Sequence, residues 1–169
     1  MTKPSRLKLV GSQEKKKGIH ERKSPDPLLT LDLFCGAGGI TEGFRQAGYS
    51  CLYGNDCMPE AIETFSLNHP EAWGDVRDIE EVDPAHVRRR LQLRKGALDV
   101  LVGGPPCQGF SINAPDRFLE DPRNKLFKDY IRFLDEFQPK TFVFENVPGL
   151  LSLADGKVFR QILREFSQL

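Results

Sequence analysis

Residues 28–39 read LLTLDLFCGAGG, and this stretch decides the fold class of the chain. Its apolar residues up to Phe34 predict a buried strand, and the glycines that follow predict a tight turn. Ile40, Phe44 and Ala47 then recur at helical spacing, which predicts a helix directly after the turn. The stretch therefore indicates a strand, a glycine turn and a helix.

The same alternation continues along the rest of the chain. Further apolar strands are predicted at residues 51–53, 72–76, 99–102 and 141–144. Helical patterns lie between them, including one at residues 84–95 with Val87 and Leu91 facing inward. Repeated β-α-β units with short turns predict an α/β fold: a Rossmann-like, mostly parallel sheet with helices on both faces. Right-handed crossovers would bring the strand ends out along one edge.

Charge is distributed unevenly along the 169 residues. Residues 1–27 hold eight Lys or Arg against three acids, a net charge of +5, and we expect them to form a disordered basic arm. Residues 28–169 hold 16 bases against 21 acids, a net charge of −5, which argues against strong duplex DNA binding by this segment alone. No metal site is expected, because the four cysteines form no CxxC pair. We expect no membrane partner, and a cytoplasmic location in a bacterium or a nuclear one in a eukaryote.

The segment GGPPCQGFS at residues 103–111 follows a predicted strand end and carries a candidate nucleophile. Two prolines stiffen this loop, and Cys107 sits where open α/β sheets place their ligands. Glu145 follows the next predicted strand, at 141–144. A thiolate can add to an electron-poor ring, and a neighbouring carboxyl group can orient a ring nitrogen. No histidine follows a predicted strand, so a cysteine protease is disfavoured.

The glycine turn at residues 36–39 indicates a nucleoside site. A dinucleotide fingerprint GxGxxG would need glycine where Thr41 stands, which weakens a nicotinamide interpretation. Asp56 lies twenty residues after Gly36 and can accept both hydrogens of a ribose diol, and Asp75 can accept from an adenine amino group. S-adenosylmethionine contains both groups and is the expected cofactor.

Five sequence blocks resemble, in order, those of the C5-cytosine DNA methyltransferases: LDLFCGAGG, ND, GDVRDI, GGPPCQGFS and FENVPGL, all between residue 28 and the C-terminus. The resemblance implies methyl transfer from S-adenosylmethionine to C5 of a cytosine flipped out of DNA, as in restriction-modification systems. Cys107 would add to C6 and Glu145 would contact N3 and the amino edge. Together with the glycine turn, the expected cofactor-binding residues are Phe34, Gly36, Gly38, Gly39, Ile40, Asp56, Cys57, Asp75, Val76, Pro106 and Leu126.

Blocks that lie C-terminal in that family have no counterpart here: QxRxR, a target-recognition region and a GNSV-type block. Residues 28–169 are therefore expected to be the N-terminal part of a methyltransferase catalytic domain, which requires a complementing C-terminal polypeptide and is inactive alone. A tRNA cytosine C5 methyltransferase and a non-catalytic cofactor-binding or interaction fragment are the alternatives. A thiol redox protein ranks last, because it would need a resolving cysteine.

Overall fold

The computed structural model describes residues 26–106 and 126–169, so the basic arm up to residue 25 and Cys107 lie outside the described residues. Strands and helices alternate in the order β1 (Leu28–Leu33), α1 (Gly39–Gln46), β2 (Tyr49–Asp56), α2 (Pro59–Asn68), β3 (Trp73–Val76), α3 (Pro84–Arg90), β4 (Val100–Gly103), α4 (Leu126–Phe137), β5 (Thr141–Phe144) and α5 (Lys157–Phe166).

The five strands form one parallel sheet in the order β3-β2-β1-β4-β5. This confirms the expected Rossmann-like α/β fold. β2 is longer than the predicted 51–53 because it pairs with β1 on one side and β3 on the other, which extends it from Tyr49 to Asp56. The strand order reverses between β1 and β4, the position at which such sheets bind ligands.

Helices cover both faces of the sheet, because successive side chains of a strand point to opposite sides. Leu31 and Tyr53 pack on one face with Phe133 and other residues of α3 and α4. Cys51 packs on the other face with Phe65 of α2. The register of β1 and β2 shifts between Thr30 and Leu31, because Leu52 is an extra residue on β2. This bulge in β2 lets Cys51 and Tyr53 face opposite sides despite their spacing of two. Each face therefore has its own apolar cluster.

Two helices differ from the sequence-based expectation. α3 ends at Arg90 and not at residue 95, because Gln92 takes a left-handed φ of 57° that no α-helix can continue. α1 ends at Gln46, so Ala47 follows the helix and is exposed, and the buried residue of α1 is Thr41, whose hydroxyl donates to the buried Asp32 of β1. Neither change alters the topology.

β5 lies at one edge of the described sheet. Phe142 and Val143 of this strand remain 39% and 42% exposed, so this edge carries apolar surface. Within residues 26–106 and 126–169, no helix has the length and apolar character needed to span a membrane.

Candidate functional site

A cavity of about 390 Å³ opens at the carboxyl ends of the strands, beside the β1–β4 reversal. This volume is within the range of pockets that bury a small molecule. Segments that follow β1, β2, β3 and β4 and the start of α4 enclose it. The lining residues are Phe34, Asn55, Asp56, Cys57, Met58, Asp78, Ile79, Gly104, Pro106 and Leu126.

The glycine turn between β1 and α1 borders this cavity and is built from left-handed residues. Phe34, Gly36 and Gly38 have φ values of 58°, 54° and 91°. Glycine adopts such angles without a steric penalty, whereas Phe34 is strained by them. Inside the turn, the Gly38 amide donates to the Cys35 carbonyl at 2.9 Å, and the Cys35 amide donates to the Asn55 carbonyl at 3.0 Å. The strained Phe34 conformation is thus held by the hydrogen bonds of its neighbours.

Asp56 ties the glycine turn to the end of β2. Its Oδ2 accepts the Gly36 amide at 3.0 Å, and its Oδ1 accepts the Met58 amide at 3.0 Å. A carboxylate can accept about four hydrogen bonds, so each oxygen keeps capacity for a ligand. Asp56 therefore serves the turn and the cavity at once.

Asp75, an expected cofactor residue, is not among the residues that line this cavity. Its carboxylate is buried, accepting from the Tyr53 hydroxyl at 2.8 Å and from Arg77 Nε at 2.8 Å. Burial opposes ionisation, but these hydrogen bonds outweigh it and hold the pKa of Asp75 below its usual value. Val76 is also not among the lining residues, which include Asp78 of the same block. The assignment of Asp75 and Val76 to the cofactor stays a prediction.

Ile79, which follows Asp78, is the apolar counterpart in that lining. Asp78 and Ile79 were not predicted from the sequence. Asp75 and Val76 belong to β3, whereas Asp78 and Ile79 follow it, and the path of the chain after β3 decides that they reach the cavity. The Asn55 amide marks this path: it donates to the Arg77 carbonyl at 2.9 Å and so fixes the chain that leads into Asp78.

Glu145 lies against the chain that leaves β4. A Cβ added at Gly104 would lie only 2.7 Å from Oε2 of the Glu145 carboxylate. The absence of a side chain at Gly104 therefore leaves room for this carboxylate. The neighbouring Asn146 donates from Nδ2 to the Pro105 carbonyl at 3.0 Å. The segment after β5 thus holds the backbone that leads towards Cys107, whose own position lies outside the described residues.

The remaining three cysteines have different surroundings. Cys35 and Cys51 are buried, and burial raises the pKa of both thiols. Such thiols are poor nucleophiles, because the thiolate is the reactive form. Cys57 is exposed and lines the cavity.

Asp32, on β1 beneath the turn, is a buried carboxyl group that does not line the cavity. It is 1% exposed, and the Thr41 hydroxyl donates to its Oδ2 at 2.6 Å. Its Oδ1 has no hydrogen-bond partner among the residues that the structure describes. Burial raises the pKa of Asp32 to about 6.

The expected cofactor residues therefore divide into three groups. The cavity is lined by Phe34, Asp56, Cys57, Pro106 and Leu126. Three others belong to the adjoining turn. The Gly36 amide donates a hydrogen bond to Asp56, and Gly38 and Gly39 line a second concavity on the far side of the turn. The lining does not include Ile40, Asp75 and Val76.

The sequence model of the C-5 cytosine-specific DNA methylase family matches residues 28–169. The chain belongs to this family. The chain is 50% identical to the Type II methyltransferase M.AgeI of Thalassovita gelatinovora over 136 residues, which cover 80% of the chain and 32% of M.AgeI. It is 34% identical to the Type II methyltransferase M.AquIA of Picosynechococcus sp., covering 82% of the chain and 56% of M.AquIA.

A solved structure from E. coli, assigned as a DNA modification methyltransferase encoded within a prophage, has the same fold. It superposes with a TM-score of 0.69 at 29% identity, over 83% of this chain and 38% of that one. The methylase chain thus spans about a third of the length of M.AgeI and about half that of M.AquIA.

Proposed function

We propose that this chain supplies the cofactor site and the nucleophile of an enzyme that methylates C5 of cytosine in DNA, and that activity also needs the part of such enzymes that these 169 residues do not span. The cavity at the β1–β4 reversal carries this proposal, because it joins the residues of three family blocks. Phe34 comes from the first block, Asp56 from the second, and Pro106 from the block that contains Cys107.

The cavity fits S-adenosylmethionine in size and in chemistry. Asp56 is an acceptor for the ribose diol, and Phe34, Ile79 and Leu126 offer apolar surface to a purine ring. Asp78 lines the cavity and is a second candidate acceptor for an adenine amino group, beside the Asp75 predicted from the sequence. S-adenosylmethionine supplies the methyl group when it is bound.

Cys107 and Glu145 perform the chemistry on cytosine. The Cys107 thiolate adds to C6, which makes C5 nucleophilic enough to accept a methyl group. Glu145 binds N3 and the amino edge and stabilises the charge that develops on the ring. Loss of the C5 proton and elimination of the thiolate then restore the aromatic ring. The target must leave the helix first, because a loop thiol cannot reach C6 inside a duplex.

We infer that DNA binding and catalysis require the part of the enzyme that these 169 residues do not span. The net charge of −5 on residues 28–169 does not favour binding to phosphates. The half-exposed apolar strand β5 offers an edge that a further strand would cover. We therefore expect the 169-residue chain to be inactive on DNA and prone to association when it is alone.

Calorimetry on the 169-residue chain tests the cofactor site. Asp56→Ala should weaken S-adenosylmethionine binding about tenfold or more, because a buried diol loses its acceptor. Asp56→Asn keeps one acceptor oxygen, so its affinity should lie between those of the wild type and Asp56→Ala. Glu63→Ala, an exposed change on α2, is the control. Unchanged affinity in a folded Asp56→Ala variant would remove Asp56 from the site.

Complementation tests the chemistry. The chain is co-expressed with the part of M.AgeI that it does not span, and transfer of tritiated methyl groups to DNA and to tRNA is measured. Cys107→Ala should abolish transfer to DNA. DNA containing 5-fluorocytosine should trap the thiol adduct, because its C5 carries no proton to lose. Transfer to tRNA alone would favour the RNA alternative, and transfer to neither by the complemented wild type would favour a non-catalytic fragment.

A further inference from the structure

His69 lies at the end of α2 and packs beneath the glycine turn. It is 1% exposed, and its Nε2 is 3.3 Å from the Gly38 carbonyl oxygen, although 31 residues separate the two in sequence. Its ring also packs against Phe65, with 5.0 Å between the ring centroids. The ring is therefore a buried support between α2 and the turn.

The fit between this ring and the turn is close. A Cβ added at Gly38 would lie 2.6 Å from Nε2 and 2.7 Å from Cδ2 of His69, and 3.0 Å from Phe65. Real Cβ atoms do not approach other atoms so closely. Gly38 thus serves two needs, since its φ of 91° is left-handed and its missing side chain admits the imidazole.

The hydrogen bond defines the tautomer of His69. A carbonyl oxygen can only accept, so Nε2 must carry the hydrogen, which leaves Nδ1 unprotonated in the neutral ring. The Gly38 carbonyl also accepts the Glu42 amide at 2.8 Å, the bond that opens α1. His69 therefore reaches the junction at which the turn becomes a helix.

We propose that His69 is a positioning residue for the cofactor site, which it serves by holding Gly38 through the Nε2–H bond. Asp56 holds the other end of the turn through the Gly36 amide at 3.0 Å. The turn is thus clamped from the cavity side by a carboxylate and from the far side by an imidazole. This inference rests on the proposed function, in which the turn binds S-adenosylmethionine, but His69 itself lines a different concavity and not the cofactor cavity.

Paired variants of the 169-residue chain separate hydrogen bonding from packing. His69→Gln places an amide N–H near the position of Nε2 and keeps the donor. His69→Leu replaces the ring by an apolar side chain of similar size that has no donor. His69→Met is a second donor-free variant, whose flexible side chain adapts to irregular space. His86→Leu, on the exposed side of α3, is the matched control.

Amide hydrogen exchange without cofactor is the first measurement. The Gly38 and Glu42 amides report on the turn, because they bond to the Cys35 and Gly38 carbonyls. Both amides should exchange about tenfold faster in the donor-free variants than in the wild type. In His69→Gln and His86→Leu they should exchange at the wild-type rate. The affinity for S-adenosylmethionine, measured by calorimetry, should follow the same order, with about a tenfold loss in the donor-free variants.

The two measurements answer different questions. Wild-type exchange in His69→Leu and His69→Met, or faster exchange in His69→Gln alone, would overturn the positioning role and leave the proposed function in place. Failure of the wild-type chain to bind S-adenosylmethionine would overturn the cofactor proposal, while the exchange order would still decide whether His69 holds the turn.

Discussion

Asp32→Asn tests whether the carboxyl group beneath the glycine turn titrates with an elevated pKa. Burial raises the pKa of this group from 3.8 to about 6. A folded state that binds the proton more tightly is favoured at low pH. Its extra stability is fully present below about pH 3.8 and is lost as the pH rises through about 6. Above that pH the folded wild type buries a charged carboxylate, which lowers its unfolding free energy, whereas Asp32→Asn has no charge to bury.

The size of the effect follows from the two pKa values. A difference of about two units corresponds to about 3 kcal/mol of unfolding free energy over the whole range. About 2 kcal/mol of this change should occur between about pH 4.5 and about pH 7.5. The wild type should lose that amount relative to Asp32→Asn as the pH rises. Any constant cost of burying the Asn amide beside Thr41 cancels when one pH is compared with another.

Urea unfolding at a series of pH values measures this difference. Fluorescence of the single tryptophan, Trp73 on β3, and far-UV circular dichroism should give coincident transitions at each pH. Asp135→Asn, on the exposed side of α4, measures what the same substitution does at the surface. A stability difference between wild type and Asp32→Asn that stays constant with pH, or that grows in favour of the wild type as the pH rises, would refute the reasoning.

Three further substitutions probe the site and the sheet. Gly104→Ala should push the flexible Glu145 carboxylate aside and lower methyl transfer in the complemented enzyme about tenfold or more, while the unfolding free energy changes by about 0.5 kcal/mol or less. Gly43→Ala, whose Cβ meets nothing within 4 Å, is the control, and equal activity of the two variants would contradict the role of Gly104 in making room for Glu145. Tyr130→Phe should destabilise the fold by about 1 to 3 kcal/mol in urea unfolding, because the Leu101 and Val143 carbonyls lose their hydroxyl donor, and an unchanged midpoint would argue against the bridge between β4 and β5. Val143→Lys should reduce self-association of the isolated chain in sedimentation experiments, because charge on an edge strand disfavours pairing, and equal association would point to another surface.

Much of the fold could be predicted from local patterns. The apolar run before the Gly36 turn and the period of the helices identify the β-α-β units, because side-chain spacing reflects the geometry of each element. The carboxyl ends of parallel strands share one edge, so Asp56 and Glu145 could be placed at that edge without coordinates. The limits of α3 could not, because Gln92 carries no sequence signal for its left-handed φ.

The sequence by itself determined the α/β class, the family blocks and the identity of the candidate nucleophile, because residue type and spacing carry this information. Only the tertiary structure decided which residues share the cavity. It turned Asp75 towards Tyr53 and brought Asp78 into the lining. It also placed His69 beneath Gly38. These outcomes depend on strand pairing and on contacts between distant parts of the chain, which no local pattern encodes.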